Sequence, residues 1–386
     1  MVVIPKLIKK VIVERLQFHI VANDFIHLSQ LGGLKFKSTT NVSIALIYII
    51  HLGWVKINTT STLAFDITQF FPFLNHRLLT CILQKAEASI FALSTSSPIT
   101  SLVEKPIMFG TISPSPTFKI NIGVGQESAL SPILLALYLS SFLHILEKCL
   151  KSLNIPISII SFMDDSLFIS QNKSIGISNS CLFCSYNVMT KLLDKFSLIV
   201  EHSKTEVFYF NRLHGFFNPP PFNLSSTGGL VLTPKNLWKY LGFIFDRKLS
   251  FHQHINYYSN KAISTVKCMK LLGNSSCGII LTQKHLLYRC CILPITLYGF
   301  QLWFFNYAPL SYLLKILEKM QRRAAIWILG AFKTSLVESI EVIVGLIPIK
   351  LHLQKLIGRS QLCPLALLYN HLIQSLMDSP SSLPKY

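Results

Sequence analysis

Acidic residues are scarce in this chain. Only 17 of its 386 residues are Asp or Glu, against 36 Lys and Arg, and the formal net charge is +19. Lys and Arg replace the counterions that surround phosphate groups, so this imbalance suits a polyanionic partner. An anionic membrane surface is the alternative partner for such a charge.

Long uninterrupted apolar runs are also lacking, although the mean hydropathy is +0.47. A spanning helix needs about 20 mostly apolar residues. The stretch 290–307 is uncharged but holds Pro294 and Gly299, so we interpret it as a buried segment, and 133–145 is too short. The basic first residues make a poor signal peptide. We therefore expect neither a signal peptide nor a transmembrane segment, and a membrane-associated protein remains a third alternative.

A cysteine framework is missing as well. The nine cysteines are scattered along the chain without the regular spacing of a disulfide-stapled domain. This pattern favours a reducing compartment. The length allows two or three domains of ordinary size, and the hydrophobic half of the composition provides a sizeable core.

The periodicity of apolar residues predicts a mixture of helices and short strands. Helices are predicted over 6–18, 42–52, 76–89 and from Ser131 to about Leu150, with Pro132 in a favourable first-turn position. After Ser250 the pattern is mostly helical. Strands are predicted over 63–67, 155–162, 167–170, 207–210 and 240–245.

Three of the few acids lie beside apolar strands. Asp66 follows Leu63-Ala64-Phe65, and Asp164-Asp165 occupies a tight turn between two predicted strands. Nucleotidyl transfer uses two divalent cations about 4 Å apart, and hard cations prefer carboxylate oxygens. Pairing of these strands would bring such carboxylates together. On spacing alone, capping of a turn by Asp165 and of a helix by Asp66 remains equally open.

The residues around these acids carry a resemblance. In order along the chain, 65–72 resembles polymerase motif A, 125–132 motif B, 162–165 motif C and 203–210 motif D, while 240–255 resembles the segment that leads into the thumb. The segments 6–16 and 30–40 resemble the fingers helix and the step before motif A. This ordered set resembles the reverse transcriptase of non-LTR (LINE-type) retrotransposons.

The resemblance implies a fold, an activity and partners. The fold would be α/β (α+β): a right-hand polymerase palm with an antiparallel sheet, partial fingers and a helical thumb. The activity would be RNA-directed DNA synthesis with two Mg²⁺ ions, or Mn²⁺, using an RNA template, a DNA primer and deoxynucleoside triphosphates. The protein would act in a ribonucleoprotein of the nucleus or cytoplasm, in an oligomeric state that the sequence leaves open. The implied divisions are partial fingers 1–60, palm 61–245, thumb or connection 246–340 and a helical tail 341–386.

The resemblance also assigns metal ligands. Asp66 and Asp164 would hold both ions, and Asp165 would support them from nearby. The main-chain carbonyl of Ile67 would add a further oxygen ligand. The ions would activate the primer 3′-hydroxyl and hold the triphosphate.

Other residues would contact the substrates. Phe71 would lie under the sugar and reject a 2′-hydroxyl, Gln126 would contact the incoming nucleotide or its template base, and Lys204 would protonate or steady the leaving pyrophosphate. A core aromatic, a polar turn residue and a solvated lysine are the respective alternatives. Template phosphates would be followed by basic residues that are otherwise a solvated face: Lys6, Lys9, Lys10, Arg15, Lys35 and Lys37.

The sequence departs from the family pattern at two places. Glu127 stands where the family has Gly, which adds bulk and negative charge beside phosphates. By the same resemblance we expect the chain to begin within the fingers, with neither an endonuclease region before it nor a ribonuclease H after it. We hypothesise a truncated or decayed element copy with impaired catalysis. The rival interpretation is a non-catalytic remnant that still binds nucleic acid.

Overall fold

The computed structural model of the protein describes residues 3–35, 37–68, 72, 74–91, 129–212, 219–224, 231–273, 278–304 and 311–361. The chain divides into two compact units. The first comprises Met1–Val42 and Tyr48–Lys235, and the second comprises Ser43–Ile47 and Asn236–Tyr386. The predicted division into fingers, palm, thumb and tail stays a prediction.

An antiparallel sheet forms the centre of the first unit. Its strands are β1 (Thr59–Thr68), β2 (Ser158–Phe162), β3 (Asp165–Asn172), β4 (Ile199–Val200) and β5 (Glu206–Phe210). The order is β2-β3-β1-β4, and β5 also pairs with β1. A separate two-stranded sheet pairs β6 (Phe222–Asn223) with β7 (Val231–Leu232). The helices are α1 (Val3–Ala22), α2 (Thr39–Val55), α3 (His76–Phe91), α4 (Ser131–Ser152) and α5 (Ile175–Lys195).

Side chains alternate along β1, so the sheet has two different faces. Leu63, Phe65 and Ile67 join one buried cluster with residues of α4 and α5. Phe65 packs on Phe168 of β3 with ring centroids 4.8 Å apart. Because successive residues point to opposite faces, Asp66 lies on the other face of the sheet. The predicted mixture of helices and antiparallel strands is confirmed.

Helix α4 is the main helical support of this sheet. It begins with Pro132 in its first turn and buries 13 residues, among them Tyr138, whose hydroxyl donates to the Phe196 carbonyl at 2.7 Å. Within the described part of the chain it is the one helix long and apolar enough to cross a membrane, and 67% of its most apolar window is buried. A core helix of a folded domain has the same composition.

The second unit contains a hairpin where the sequence predicts one strand. Strands β8 (Leu237–Tyr240) and β9 (Phe243–Asp246) pair as an antiparallel hairpin. Leu241 and Gly242, with φ of 48° and 85°, form the turn between them. A continuous strand over 240–245 was therefore a wrong prediction, because positive φ at both central residues is the geometry of a tight two-residue turn.

Helices form the rest of the second unit. They are α6 (His252–Met269), α7 (Leu281–Leu287), α8 (Leu293–Thr296), α9 (Phe300–Trp303), α10 (Ser311–Leu329), α11 (Val337–Val344) and α12 (Ile349–Gln361). A π-helical turn, Tyr288–Ile292, joins α7 to α8. The uncharged stretch from Cys290 is thus divided among short helical pieces. Tyr288, Ile292 and Met320 lie in the buried cluster of this unit.

The sheet face that packs on α4 and α5 generates a stability prediction. Phe168 is fully buried, so we expect Phe168→Ala to lower the free energy of unfolding by about 3–5 kcal/mol, through lost transfer energy and a residual cavity. Urea denaturation measures the change. Phe18→Ala is the matched control, since Phe18 is 70% exposed and its removal should change stability by less than about 0.5 kcal/mol. Equal effects of the two substitutions would contradict the proposed core.

Candidate active site

Strand pairing assembles three aspartates at one end of the sheet. β1 and β3 pair so that Asp66 lies directly opposite Asp165. Directly opposite residues in an antiparallel pair project to the same face. Asp164 lies in the turn between β2 and β3, and its carbonyl accepts a hydrogen bond from the Ile67 amide at 3.2 Å. The site is therefore built on strands, and its backbone is fixed on both sides of the turn.

Burial and neighbouring like charges raise the pKa values of two of these aspartates, Asp164 and Asp165. Burial raises the pKa of Asp165 to about 6, and the neighbouring charges of Asp164 and Asp66 contribute to the rise. Burial likewise raises the pKa of Asp164, and the charge of Asp66 adds to it. Positive charge beside two half-buried carboxylates and a third stabilises their anionic forms. The site thus favours a cation.

Lys204 supplies one positive charge. Its Nζ lies 2.6 Å from Oδ2 of Asp66, and this hydrogen bond raises the pKa of the ammonium group. A short 3₁₀ helix, His202–Lys204, positions the residue, and the Glu201 amide holds this segment to the Asp66 carbonyl at 2.9 Å. The Lys204 side chain is 63% exposed while Asp66 is 16% exposed. The ammonium therefore approaches the carboxylate from the solvent side and has freedom to leave it.

The donor chemistry suits hard divalent cations. Carboxylate oxygens are the ligands that Mg²⁺ prefers, and a cation would oppose the rise in the pKa values of Asp164 and Asp165 that burial and like charges cause. As they stand, the described residues include no group of three or more His, Cys, Asp or Glu side chains arranged to hold one ion. Lys204 is the cation that engages Asp66 in this arrangement. The residues fit the ions in charge and ligand type.

The structure describes some of the remaining predicted site residues and leaves others outside its described part. Phe71, Gln126 and Glu127 lie outside the described residues, as do the side chains of Lys6 and Lys9. Exposed side chains are found at Lys10, Arg15 and Lys35. Ile67 is buried. All of these assignments stay predictions.

Lys37 has a more specific environment than a phosphate-binding lysine on an open surface. It is partly buried, its Nζ donates to the Gln30 carbonyl at 3.5 Å, and burial lowers the pKa of its ammonium group. Because that carbonyl belongs to the chain itself, contact with a template phosphate would require the side chain to move.

Sequence reasoning missed several partners of the site. Glu206 lies opposite Ala64 on β5, on the same face as Asp66, and pairs with Lys235. His27 is buried and its Nε2 lies 3.0 Å from Oε2 of Glu147, 120 positions further along the chain. No periodicity or local motif connects residues so far apart. The scarcity of acids was the one usable signal, since few carboxylates exist to be paired.

An antiparallel sheet that presents aspartates from a strand and a hairpin turn defines the class of nucleic-acid polymerase palms. The family described as reverse transcriptase (RNA-dependent DNA polymerase) matches residues 1–245, and the chain belongs to this family. The expected right-hand polymerase fold is thereby confirmed for this segment. Members of the family generally use divalent metal ions.

Individual relatives are more distant. A probable RNA-directed DNA polymerase from transposon BS of Drosophila melanogaster is 31% identical over 75 residues, which are 19% of this chain and 8% of that protein. Apo telomerase from Candida tropicalis aligns with a TM-score of 0.40 and 16% identity, over 89% of this chain and 57% of its own. Telomerase from Candida albicans, solved with a fragment of telomeric RNA, aligns with a TM-score of 0.39 and 12% identity, over 87% of this chain and 53% of its own. The alignments therefore span between 8% and 57% of these relatives.

The crowded carboxylates predict a pH dependence. A carboxyl whose folded pKa is raised favours the folded state when protonated, so its contribution is lost as pH rises from about 4 to about 6. We expect Asp165→Asn to become more stable than the natural chain across this window, by on the order of 1 kcal/mol after solvent screening. Urea denaturation in a chelator measures the difference. Asp194→Asn, on the exposed surface of α5, is the control. A difference that is flat between pH 4 and pH 7 would argue against a raised pKa at Asp165.

Proposed function

We propose that this chain is the polymerase domain of a non-LTR retrotransposon, built for RNA-directed DNA synthesis by nucleotidyl transfer. The observation that carries the proposal is the pairing of Asp66 with Asp165 across β1 and β3, with Asp164 in the adjoining turn. This geometry lies within the segment that matches the family. The substrates would be an RNA template, a DNA primer and deoxynucleoside triphosphates. The net charge of +19 suits such polyanions.

Asp66 and Asp164 would hold two Mg²⁺ ions, with Asp165 beside them. When bound, such ions lower the pKa of a primer 3′-hydroxyl and balance the charge of the triphosphate. The protein contributes rigid positioning, because all three carboxylates stand on paired strands or the turn between them. Positive charge from bound ions would favour the charged form of Asp165 and would therefore oppose the rise in its pKa.

Lys204 would have two positions. Without substrate its ammonium donates to Asp66. Since the side chain is largely exposed, it can turn toward the leaving pyrophosphate, where Nζ would donate a proton or steady the negative charge. This proposal gives the Asp66–Lys204 contact a role before substrate binds: it holds the carboxylate in place.

A rival function is supported by a specific observation. The ammonium group of Lys204 lies 2.6 Å from Oδ2 of Asp66 and so occupies a carboxylate that an ion would use, which favours a palm that binds nucleic acid without turnover. Both functions predict binding of a primer–template duplex. They differ in primer extension, which requires Asp66 in the first function and does not occur in the second.

Substitution of Asp66 separates the two functions. We expect Asp66→Asn to reduce primer extension on an RNA template by about 10³-fold or more, because a metal ligand supplies several kcal/mol of charge stabilisation. Gel-based extension with Mg²⁺ measures the rate, and fluorescence anisotropy measures duplex binding, which should remain. Asp194→Asn is the control with an equal change of charge. Extension that survives Asp66→Asn would remove these carboxylates from catalysis, and binding without extension in the unsubstituted chain would establish the rival.

Glu127 generates the second prediction. We propose that its bulk and negative charge slow this copy, and we expect Glu127→Gly to raise the extension rate by about 10-fold, since the like charge beside phosphates is removed. Glu127→Gln removes the charge but keeps the bulk, and should recover part of that gain. Extension assays on one template compare the three chains. An unsubstituted chain as fast as Glu127→Gly would contradict impairment at this position.

A further inference from the structure

The segment 27–33 lies against the hairpin that carries Asp164 and Asp165. The Ser161 amide donates to the Ser29 carbonyl at 2.8 Å, and the Leu31 amide donates to the Ser161 carbonyl at 2.8 Å. Gln30 and Ser161 form a parallel bridge. Because β2 is an edge strand of the sheet, these bonds satisfy its outer backbone groups at a position just before the aspartates.

Gly32 brings this segment into direct backbone contact with the turn. A Cβ on Gly32 would lie 2.3 Å from the Met163 amide nitrogen and 2.9 Å from the Phe162 carbonyl carbon. Real side chains do not approach backbone atoms so closely, so no other residue fits unless the hairpin moves. Met163 is the residue immediately before Asp164. The position of Gly32 therefore limits where Asp164 can lie.

The turn itself needs such support. Met163 has φ of +57°, a left-handed conformation that is unfavourable for a residue other than glycine. A strained residue keeps its conformation only where the surroundings impose it. The hydroxyl of Ser161 donates to the Met163 carbonyl at 3.4 Å, which is a weak bond. The contact of Gly32 with Met163 and the backbone hydrogen bonds to Ser161 restrict the turn more tightly than this bond does.

His27 anchors the other end of the segment to helix α4. The Ser29 amide lies 3.1 Å from Nδ1 of His27 and can only donate, so Nδ1 is the acceptor and Nε2 carries the proton. Nε2 donates to Glu147 at 3.0 Å, and Glu147 is also held by Lys151 at 3.0 Å. His27 is 5% exposed. Both ring nitrogens are thus used, one toward the segment and one toward α4.

We infer that the segment 27–33 is a clamp that positions Asp164 and Asp165, with Gly32 and His27 as positioning residues. The inference rests on the proposed function, because the aspartates matter only if they bind ions and substrate. A displacement of about 1 Å in reacting groups lowers rates by about 100-fold, and loss of outer residues that orient metal ligands lowers affinity by about 10–100-fold. The clamp therefore acts on ion binding and turnover more than on binding of the duplex.

Gly32→Ala in the full chain tests the contact with the turn. We expect Mn²⁺ affinity, measured by electron paramagnetic resonance, to fall at least about 10-fold. We expect kcat for primer extension to fall about 100-fold, while the Kd for the primer–template duplex stays within about twofold, because the basic surface that contacts phosphates is unchanged. Gly176→Ala is the matched control, since a Cβ there meets only Ser174 Oγ at 3.7 Å.

A His27 series tests the anchor with milder changes. His27→Ala removes both bonds, and we expect about a 10-fold loss of Mn²⁺ affinity. His27→Gln keeps a donor for Glu147, whereas His27→Asn keeps an acceptor for the Ser29 amide. We expect each to recover part of the loss, with His27→Gln the better because the bond to a carboxylate is the stronger of the two. If Gly32→Ala does not fold, as judged by circular dichroism, this series decides.

The outcomes separate the clamp from the proposed function. A natural chain that neither binds Mn²⁺ nor extends a primer contradicts the proposed function, and the clamp inference falls with it. An active natural chain with unchanged Mn²⁺ affinity and kcat in folded Gly32→Ala, or in His27→Ala, overturns the clamp alone. If the melting temperature falls while Mn²⁺ affinity and kcat stay unchanged, these residues contribute to stability only, and the clamp is likewise overturned.

Discussion

In the first unit, β1 and β3 pair over the whole of β3, and this register sets Asp66 opposite Asp165. Side chains alternate between faces with a period of two, so a slip of one residue would turn Asp66 into the core and Phe65 out of it. The apolar face fixes the register, since Phe65 and Phe168 are buried together beneath α4 and α5. Packing on one side of the sheet therefore sets the chemistry on the other.

This arrangement has an electrostatic cost that the fold must accommodate. Burial raises the pKa values of Asp164 and Asp165, and the charges of the neighbouring aspartates add to the rise. Lys204 offsets part of this cost through a single hydrogen bond to Asp66. An exposed lysine is a mobile partner, whereas a buried one would compete permanently with ions for the carboxylate. Without substrate, the ammonium group of Lys204 stabilises the Asp66 carboxylate. A more highly charged cation can then take the place of that ammonium group.

The parts of the fold that the sequence predicts are those with local signals. The hairpin has apolar strands on both sides of its turn, and α4 has Pro132 in its first turn, so both elements were predicted. Asp165 was wrongly expected in the turn; it is the first residue of β3 and pairs with Phe162. The β8–β9 hairpin was missed because Leu241 stands in the turn, where an apolar residue suggests a continuing strand. Its neighbour Gly242 was the available signal.

Tertiary partners could not be predicted in this way. The contact of His27 with Glu147 joins residues 120 positions apart, and nothing in either neighbourhood specifies the other. Lys204 was selected by resemblance, but its bond to Asp66 depends on where the 3₁₀ helix ends. Gly32 belongs to the segment 30–40, which was selected by resemblance, whereas its closeness to Met163 exists only once β2 has been placed. Such contacts depend on how elements pack, and local sequence carries no record of that.

Three departures from ordinary local preference lie together at this end of the sheet. Met163 has a left-handed backbone, Gly32 leaves no space for a side chain, and Asp165 is a half-buried acid among like charges. Each would be unfavourable alone, and proteins keep such features mainly where function requires them. On the other face of the sheet, Leu63, Phe65 and Ile67 are buried among aliphatic and aromatic side chains. The packed face therefore supplies stability that offsets the cost of strain and charge at the end of the sheet to which the proposed function assigns the nucleotide.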